Sequence, residues 1–339
     1  MKPAKLYQKL NQGLLKCQAC SWYCKIASGK TGICRTRINK NGKLYSLVYG
    51  EVVGPTLDPV EKKPLYHFLP GTSLLSFGTV GCNFACEFCQ NWQQSQAPKI
   101  SNFQFPISKL TPRQLVDLAL KLQASGLAYT YNEPAVFVEF CHDTAVLAKK
   151  KGLTNVFVSN GFESAETFTY LKKYLDAINI DLKSFSPKFY QTICHAQIRP
   201  VKENIKKYFL SGIETEVTTL IIPGFNDSVK ELTAAAGFLA KISLDIPWHL
   251  SRFHPDYKMT AVPATPYSAL RRGYQIGKKA GLNYVYLGNV ADPEHSATVC
   301  PKCHTLLISR DHYIGEIINL NPKTGRCKQC GRKIYGVWH

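Results

Sequence analysis

The sequence predicts an α/β fold in which repeated βα units build a parallel sheet. Short runs with the composition of β-strands alternate with amphipathic helical stretches along the middle of the chain. The predicted strands are residues 74–80, 127–131, 154–159, 177–182, 214–222, 248–253 and 283–288. Repeated units of this kind pair their strands in parallel through right-handed crossovers. About seven strands are too few for a closed eightfold barrel, so the pattern allows an open or partial barrel or a doubly wound sheet.

The turns from helix to strand repeat one chemistry, a glycine followed by Leu or Ile, in ASGLAYT, KKGLTNV, LSGIETE and KAGLNYV. At such a helix end the glycine takes the left-handed conformation, and the next residue makes an apolar contact. The glycines predicted to do so are Gly126, Gly152, Gly212 and Gly281. A helix start is predicted at Thr111, because Pro112 suits the first helical position and Gln114 completes a capping box.

Thirteen cysteines divide the 339-residue chain into three parts. The predicted boundaries are an N-terminal segment with four cysteines at 1–60, the βα series at 61–293 and a C-terminal module with four cysteines at 294–339. No apolar run is long enough for a signal peptide or a membrane span, so a cytoplasmic protein is expected. In a reducing compartment, clustered cysteines bind metal or react rather than form disulfides.

The chain is strongly basic, with a net charge of +19 and a pI near 9.3. A charge of this sign favours an acidic partner such as nucleic acid, a phosphorylated substrate or an acidic protein surface. The alternative is that the lysines coat helix faces, because pairs of them recur in the predicted helices and form no single run.

The stretch TVGCNFACEFCQNW places three cysteines directly after the first predicted strand. Cys82, Cys86 and Cys89 therefore lie on the first βα loop, at the sheet edge where such folds bind ligands. Thiolates suit zinc or an iron–sulfur cluster. Both sites use four ligands, so three cysteines leave one metal position open for a substrate. The alternative is a zinc loop completed by a distant cysteine or histidine.

The spacing Cys82-x3-Cys86-x2-Cys89, with Phe88 before the last cysteine, resembles the radical S-adenosylmethionine motif. Stretches such as YTYNEPAVF, NVFVSNGF, INIDLKSF and TVCPKCHTLLISR extend the resemblance to most of the chain. They resemble the radical enzyme of the AmmeMemoRadiSam group, a relative of the pyruvate formate-lyase activating enzyme. The resemblance implies a partial (β/α)6-type radical SAM barrel over 61–293, with a zinc-ribbon-like module after it.

The resemblance also implies the chemistry. Three thiolates hold a [4Fe–4S] cluster, whose fourth iron binds S-adenosylmethionine. With an electron from an external one-electron reductant, the sulfonium C–S bond is cleaved to a 5′-deoxyadenosyl radical, which removes a hydrogen atom from the substrate. Partners implied by the name of the group are Memo-like and AMMECR1-like proteins.

The other strand ends correspond to segments that bind S-adenosylmethionine in the family. The end of the second strand would bind the methionyl amino group, the third the methionine or ribose, and the fourth the ribose hydroxyls or the carboxylate. The implied cofactor-binding residues are Phe88, Asn132, Glu133, Ser159, Asn160, Asp181 and Lys183. The alternatives are a turn at Asn132 and Glu133, a helix N-cap at Ser159 and Asn160, and a structural ion pair of Asp181 with Lys183. For Phe88 the alternative is plain packing.

Two residues are candidates for a catalytic role. His254, near the sixth strand, is expected to face cofactor or substrate, although a lone histidine also suits the rim of a site. Cys194 is a candidate thiol on the substrate side, and His195 would lower its pKa if the two side chains meet. The alternative for Cys194 is a small buried apolar residue.

The terminal cysteines predict closed metal sites. Two C-x2-C pairs give the zinc-ribbon form, expected to hold structural zinc for local folding and partner docking; they are Cys300, Cys303, Cys327 and Cys330. The N-terminal set is less regular, and its spacing leaves zinc, a second iron–sulfur cluster or a redox role open. It comprises Cys17, Cys20, Cys24 and Cys34.

Three functions remain compatible with the sequence. The first is an activase that abstracts hydrogen from a glycine of a partner protein, as the family resemblance implies. The second is radical modification of a small molecule or RNA, for which the basic charge is a hint. The third is a metal-binding scaffold without catalysis, which predicts that S-adenosylmethionine is not cleaved.

Overall fold

The computed structural model describes residues 1–100 and 106–339. The N-terminal part forms two small antiparallel sheets, one of strands β2–β3–β4 and one of β1–β6–β5. These strands are β1 (Lys2–Pro3), β2 (Tyr7–Lys9), β3 (Leu15–Cys17), β4 (Lys25–Ile26), β5 (Arg37–Lys40) and β6 (Lys43–Ser46). An Asn-Gly turn joins β5 to β6, because Asn41 and Gly42 both take the positive φ that a two-residue hairpin requires.

The central sheet has the strand order β15-β14-β13-β12-β11-β10-β8-β7-β9. Its strands are β7 (Glu51–Pro59), β8 (Ser73–Gly78), β9 (Ser108–Lys109), β10 (Gly126–Tyr129), β11 (Thr154–Ser159), β12 (Ala177–Asp181), β13 (Glu214–Ile221), β14 (Trp248–Arg252) and β15 (Val285–Gly288). All neighbouring pairs between β8 and β15 are parallel, whereas β7 pairs antiparallel to β8 and to β9.

Helices connect the parallel strands and cover the sheet. They are α1 (Trp92–Gln96), α2 (Pro112–Lys121), α3 (Val138–Lys150), α4 (Ala165–Leu171), α5 (Pro187–Thr192), α6 (Ile198–Leu210), α7 (Val229–Ile242), α8 (Tyr267–Lys279) and α9 (Pro293–Ser296). Short 3-10 turns occupy Asn11–Gly13, Val60–Lys62, Ala97–Lys99 and Pro134–Phe137. The apolar faces of the helices are buried against the strands, as at Leu115, Ile205 and Leu270. No helix among the described residues has the length and apolar character needed to cross a bilayer.

The predicted α/β class and parallel sheet are confirmed, and each predicted strand is present within two residues of its expected limits. The strands lie side by side in chain order from β8 to β15, whereas a doubly wound sheet reverses its order at a switch point. The doubly wound alternative is therefore wrong. Among the described strands β15 pairs only with β14, so the sheet is not closed by hydrogen bonds.

The helix-end prediction is confirmed at three glycines and wrong at Gly126. The three with positive φ are Gly152, Gly212 and Gly281. After α2, the left-handed residue is instead Gln123, with φ 54°, and Gly126 is the first residue of β10. A Cβ at Gly126 would lie 2.4 Å from the carbonyl oxygen of Thr154 in β11, so close strand contact explains this glycine. The capping box at Thr111 and Gln114 is confirmed.

The C-terminal module packs against the amino ends of the central strands. It contains β16 (Thr298–Val299), β17 (Leu306–Asp311), β18 (Ile314–Ile317), β19 (Leu320–Asn321) and β20 (Arg326–Cys327). The buried Arg310 guanidinium donates to the Tyr66 carbonyl oxygen at 2.6 Å, and the Tyr335 hydroxyl accepts from the Thr215 amide at 2.9 Å. Strand β7, assigned by the sequence to the N-terminal segment, pairs with β8 of the central sheet. The proposed domain boundaries otherwise stay predictions.

Candidate metal centre at the carboxyl edge of the sheet

A cavity of about 400 Å³ opens at the carboxyl edge of the central sheet. Each parallel strand contributes at least one wall residue near its carboxyl end or in the loop after it. These residues include Cys82, Thr130, Asn160, Asp181, Leu220, Ser251 and Asn289. Because both ends of the row of parallel strands reach one cavity, the sheet curves around it.

The cysteine loop after β8 forms part of this wall. Cys82, Cys86 and Cys89 all line the cavity. Among residues 1–100 and 106–339, the four C-terminal cysteines have all their sulfur atoms within 4.8 Å of one another. The three thiols of the cysteine loop are not this close together. The three thiols are therefore spread more widely than the ligands of a single ion. This spacing suits a multinuclear cluster better than a single ion.

Burial keeps the three thiols neutral unless a positive metal centre binds them. Desolvation and the nearby Glu133 carboxylate raise the pKa of Cys82, and desolvation raises that of Cys89. For Cys86 a hydrogen bond with the Cys194 thiol acts first and burial second, and its pKa also rises. Thiols with raised pKa values are poor free nucleophiles, whereas metal binding releases their protons. The loop is thus suited to metal ligation.

Cys194 lies behind the cysteine loop. Its side chain is fully buried, and its carbonyl oxygen accepts from the Ala85 amide at 3.2 Å. His195 has φ 51° and is half exposed, and its Nε2 lies 3.8 Å from a Glu87 carboxylate oxygen, whereas the Cys194 side chain is fully buried. Cys194 therefore supports the loop in this structure, and a catalytic role for it stays a prediction.

His254 lies in an adjoining groove of about 480 Å³. The groove shares Gln90, Asn289 and Tyr313 with the main cavity, so the two are continuous. His254 is exposed, and its nearest polar contact is the Pro255 carbonyl oxygen at 3.4 Å. The structure thus separates the two catalytic candidates, one beneath the loop and one in the groove.

Of the predicted cofactor-binding residues, those on the cavity wall are Phe88, Asn132, Asn160, Asp181 and Lys183. The Lys183 ammonium donates to Asp181 at 2.8 Å, so the predicted side-by-side placement of this pair is present. The Asn132 amide donates to the Gly81 carbonyl oxygen at 2.7 Å and thereby also fixes the cysteine loop.

Glu133 and Ser159 lie behind the wall and do not line the cavity. A Glu133 oxygen accepts from the Asn160 amide at 2.8 Å, and the Ser159 hydroxyl lies between Glu133 and Glu163. Burial and the Glu163 carboxylate raise the pKa of Glu133 to about 8. These two residues hold Asn160 at the wall, and direct contact with a cofactor stays a prediction for them.

Sequence reasoning missed a charged cluster on the opposite wall. Lys62, Lys63 and Tyr131 line the cavity, and all three donate to the buried Asp58 carboxylate at 2.7 to 2.8 Å. Despite burial, these donors hold the pKa of Asp58 well below its usual range. The (i, i+4) spacing of Asp58 and Lys62 in DPVEKK was the available signal, but nothing local showed that this segment reaches the cavity.

The C-terminal cysteines form a compact set. Cys300 and Cys330 have their sulfur atoms 3.5 Å apart, and those of Cys303 and Cys327 are 3.7 Å apart. All four ligand atoms lie within 4.8 Å of one another. Tetrahedral thiolates at 2.3 Å from one ion are about 3.8 Å apart, so this spacing fits a single metal ion.

Comparisons with known proteins agree with the site. Residues 77–236 match the Radical SAM superfamily, and this stretch contains the cysteine loop and most of the cavity wall. The chain thus carries a radical SAM domain, and the superfamily implies a [4Fe–4S] cluster, S-adenosylmethionine and an enzyme of radical chemistry. The chain is also 42% identical over 335 residues to the uncharacterized protein MJ0808 of Methanocaldococcus jannaschii, covering 98% of this chain and 99% of that one. It belongs to the same family.

Two solved structures show more distant likeness. One is a domain of a pyruvate-formate lyase-activating enzyme from Bacteroides vulgatus, with 22% identity, 48% of this chain and 99% of that chain covered, and a TM-score of 0.43. The other is SuiB from Streptococcus suis bound to S-adenosylmethionine, with 10% identity, coverages of 68% and 53%, and a TM-score of 0.49. Neither value supports an inference about the activity of this chain.

Proposed function

We propose that this protein is a radical SAM activase, which removes a hydrogen atom from a glycine of a partner protein. The observation that carries the radical chemistry is the cysteine loop, whose Cys82, Cys86 and Cys89 thiols are widely spaced and face one cavity. These thiolates would hold a [4Fe–4S] cluster, which would pass one electron from an external reductant to the sulfonium of S-adenosylmethionine.

The chain supplies binding, orientation and exclusion of water. Lys183 and Asp181 offer a cation and an acceptor on one wall for the carboxylate and ribose hydroxyls of the cofactor. Phe88 offers an aromatic face beside them, packed on Phe189 with ring centroids 5.9 Å apart. Asn132 donates to the Gly81 carbonyl oxygen and Asn160 to the Asn83 side-chain oxygen, so these two residues hold the flanks of the cysteine loop at the cavity.

The groove beside the cavity supports a protein substrate over RNA. It is large, at about 480 Å³, and continuous with the cavity at Gln90 and Tyr313. Among the residues that the structure describes, its charged wall residues are Asp292 and Asp311, with neither Lys nor Arg beside them. A phosphate backbone would be repelled there, whereas an extended peptide segment would not. Memo-like and AMMECR1-like proteins of the AmmeMemoRadiSam group are the first partners to test.

The C-terminal cysteines are proposed to bind structural zinc. Support comes from the sulfur–sulfur distances of 3.5 and 3.7 Å, close to the edge of a zinc–thiolate tetrahedron. His304 and Gly331, each following a cysteine pair, have φ 59° and 72° and let backbone amides turn back over the site. Four thiolates leave no open position, so this site stabilises the fold rather than reacts.

The test is anaerobic reconstitution with iron and sulfide, reduction with dithionite and detection of 5′-deoxyadenosine by mass spectrometry. We expect product from the wild-type chain and none from Cys86→Ser. A partner labelled with deuterated glycine should then transfer deuterium into the 5′-deoxyadenosine. If a fully reconstituted protein forms no 5′-deoxyadenosine, only the scaffold function is left. Transfer of hydrogen to the 5′-deoxyadenosine from RNA, and not from a partner protein, would refute the activase function.

A further inference from the structure

The four N-terminal cysteines surround a small cavity of their own. Cys17, Cys20, Cys24 and Cys34 line it together with apolar residues such as Ile26. The volume of this cavity is about 10 Å³. Four buried or half-buried thiols around a small, mainly apolar cavity are surroundings that suit a metal centre.

The spacing of these thiols separates one ion from a cluster. Thiolates around one zinc ion lie about 3.8 Å apart. In a [4Fe–4S] cluster each thiolate binds a different iron, so the ligand sulfur atoms are farther apart than around one ion. The N-terminal thiols are not gathered within 4.8 Å of one another as the C-terminal set is, among the residues that the structure describes. This wider spacing fits the cluster.

The N-terminal site adjoins the cysteine loop of the main cavity. Asn83, which follows the ligand Cys82, lines the N-terminal cavity, and its carbonyl oxygen accepts from the Trp22 indole at 2.9 Å. On the other side of Cys82, Gly81 packs so tightly that a Cβ would lie 2.4 Å from Thr36 and 3.0 Å from the Cys34 carbonyl oxygen. The two metal centres are therefore separated by little more than one loop backbone.

The outer side of the N-terminal cavity is basic. Ile33, which forms part of the cavity wall, is 47% exposed. Lys25, Lys30 and Arg35 are exposed around it along the chain. The first 50 residues contain ten Lys and Arg residues and neither Asp nor Glu. An exposed Ile33 among exposed basic residues suits brief docking of an acidic protein, because charge complementarity speeds association.

We propose that the N-terminal cysteines hold a second [4Fe–4S] cluster and that the surface around Ile33 docks an acidic one-electron donor protein. The donor is oxidised by one electron and the N-terminal iron is reduced by one electron, which is then available at the neighbouring cysteine loop. This role rests on the proposed function, because only radical chemistry at that loop consumes the electron. The metal content of the N-terminal site does not rest on it.

The first test counts metals in anaerobically reconstituted full-length protein. We expect about eight iron and eight sulfide ions per chain, with one zinc. The double variant Cys20→Ser, Cys24→Ser should fall to about four iron with zinc unchanged, and the control Cys303→Ser should lose zinc and keep eight iron. About four iron and two zinc per wild-type chain would overturn the assignment, whether or not 5′-deoxyadenosine is formed. This result can be seen in the wild-type protein alone, without any variant.

The second test measures 5′-deoxyadenosine formation with two electron sources, dithionite and an acidic flavodoxin reduced by its reductase. The charge-reversal variant is Lys25→Glu, Lys30→Glu, Arg35→Glu, and the matched control is Lys150→Glu, Lys173→Glu, Lys206→Glu. We expect the flavodoxin-dependent rate to fall on the order of tenfold in the first variant only, and to fall with added salt. The dithionite rate should be unchanged in both. Equal flavodoxin rates in the two variants would refute the docking surface.

Discussion

Replacing Gly81 by alanine tests the packing of the N-terminal segment on the cysteine loop. Gly81 has φ 92°, a conformation that costs a residue with a Cβ about 1–2 kcal/mol. The new methyl group would lie 2.4 Å from the Thr36 methyl group and 3.0 Å from the Cys34 carbonyl oxygen, and such overpacking adds about 1–3 kcal/mol. We therefore expect Gly81→Ala to lower the free energy of unfolding by about 2–5 kcal/mol.

Gly212→Ala is the matched control. Its φ is 81°, and among the described residues, its two chain neighbours aside, no heavy atom lies within 4 Å of the position that its Cβ would take. It should therefore show only the conformational cost of about 1–2 kcal/mol. The unfolding midpoints of the two variants are compared in urea by circular dichroism. Iron release is followed by the loss of the iron–sulfur absorbance at about 400 nm. Equal midpoint shifts and equal iron retention in the two variants would refute the close packing.

Three further changes follow from the site. Cys303→Ser should lose the zinc proposed for the C-terminal cysteines and lower the thermal midpoint, measured by metal analysis and calorimetry, because structural zinc contributes directly to folding; an unchanged midpoint would contradict this. Lys183→Met should weaken S-adenosylmethionine binding by about tenfold or more in equilibrium dialysis, because one hydrogen bond to a charged group is lost; unchanged affinity would remove Lys183 from the site. Asp58, whose pKa is depressed in the folded protein, stabilises it above the unfolded pKa near 3.9, and this contribution is lost as the pH falls toward the folded pKa. The stability difference between wild type and Asp58→Asn should therefore be constant from pH 5 to 7, taken as approximate limits, and shrink below about pH 4, as measured by urea unfolding; a difference that grows on acidification would have the wrong sign.

Local chemistry explains what the sequence predicted well. The capping box at Thr111 depends on residues three positions apart, and the strand limits depend on short runs of β-branched and aromatic residues. The cysteine loop was equally accessible, because its three cysteines lie within eight residues and follow a strand directly. Each of these features is determined by a window shorter than one βα unit.

Contacts distant in the chain explain the misses. Gly126 has the sequence of a helix end, but its close contact with Thr154 depends on strand pairing. Lys63 reaches the cavity because β7 adds to the edge of the sheet, which no local pattern indicates. Glu133 follows a strand as expected, yet Asn160 comes between it and the cavity. Such placements depend on tertiary packing over tens of residues.

The central claim is that Cys82, Cys86 and Cys89 hold a cluster whose open iron binds S-adenosylmethionine. Electron paramagnetic resonance of the dithionite-reduced protein tests it most directly. We expect a cluster signal that changes when S-adenosylmethionine is added, in the wild-type chain and in the Cys20→Ser, Cys24→Ser variant, and no such response in Cys86→Ser. A response that survives in Cys86→Ser, or zinc in place of iron on this loop, would contradict the account.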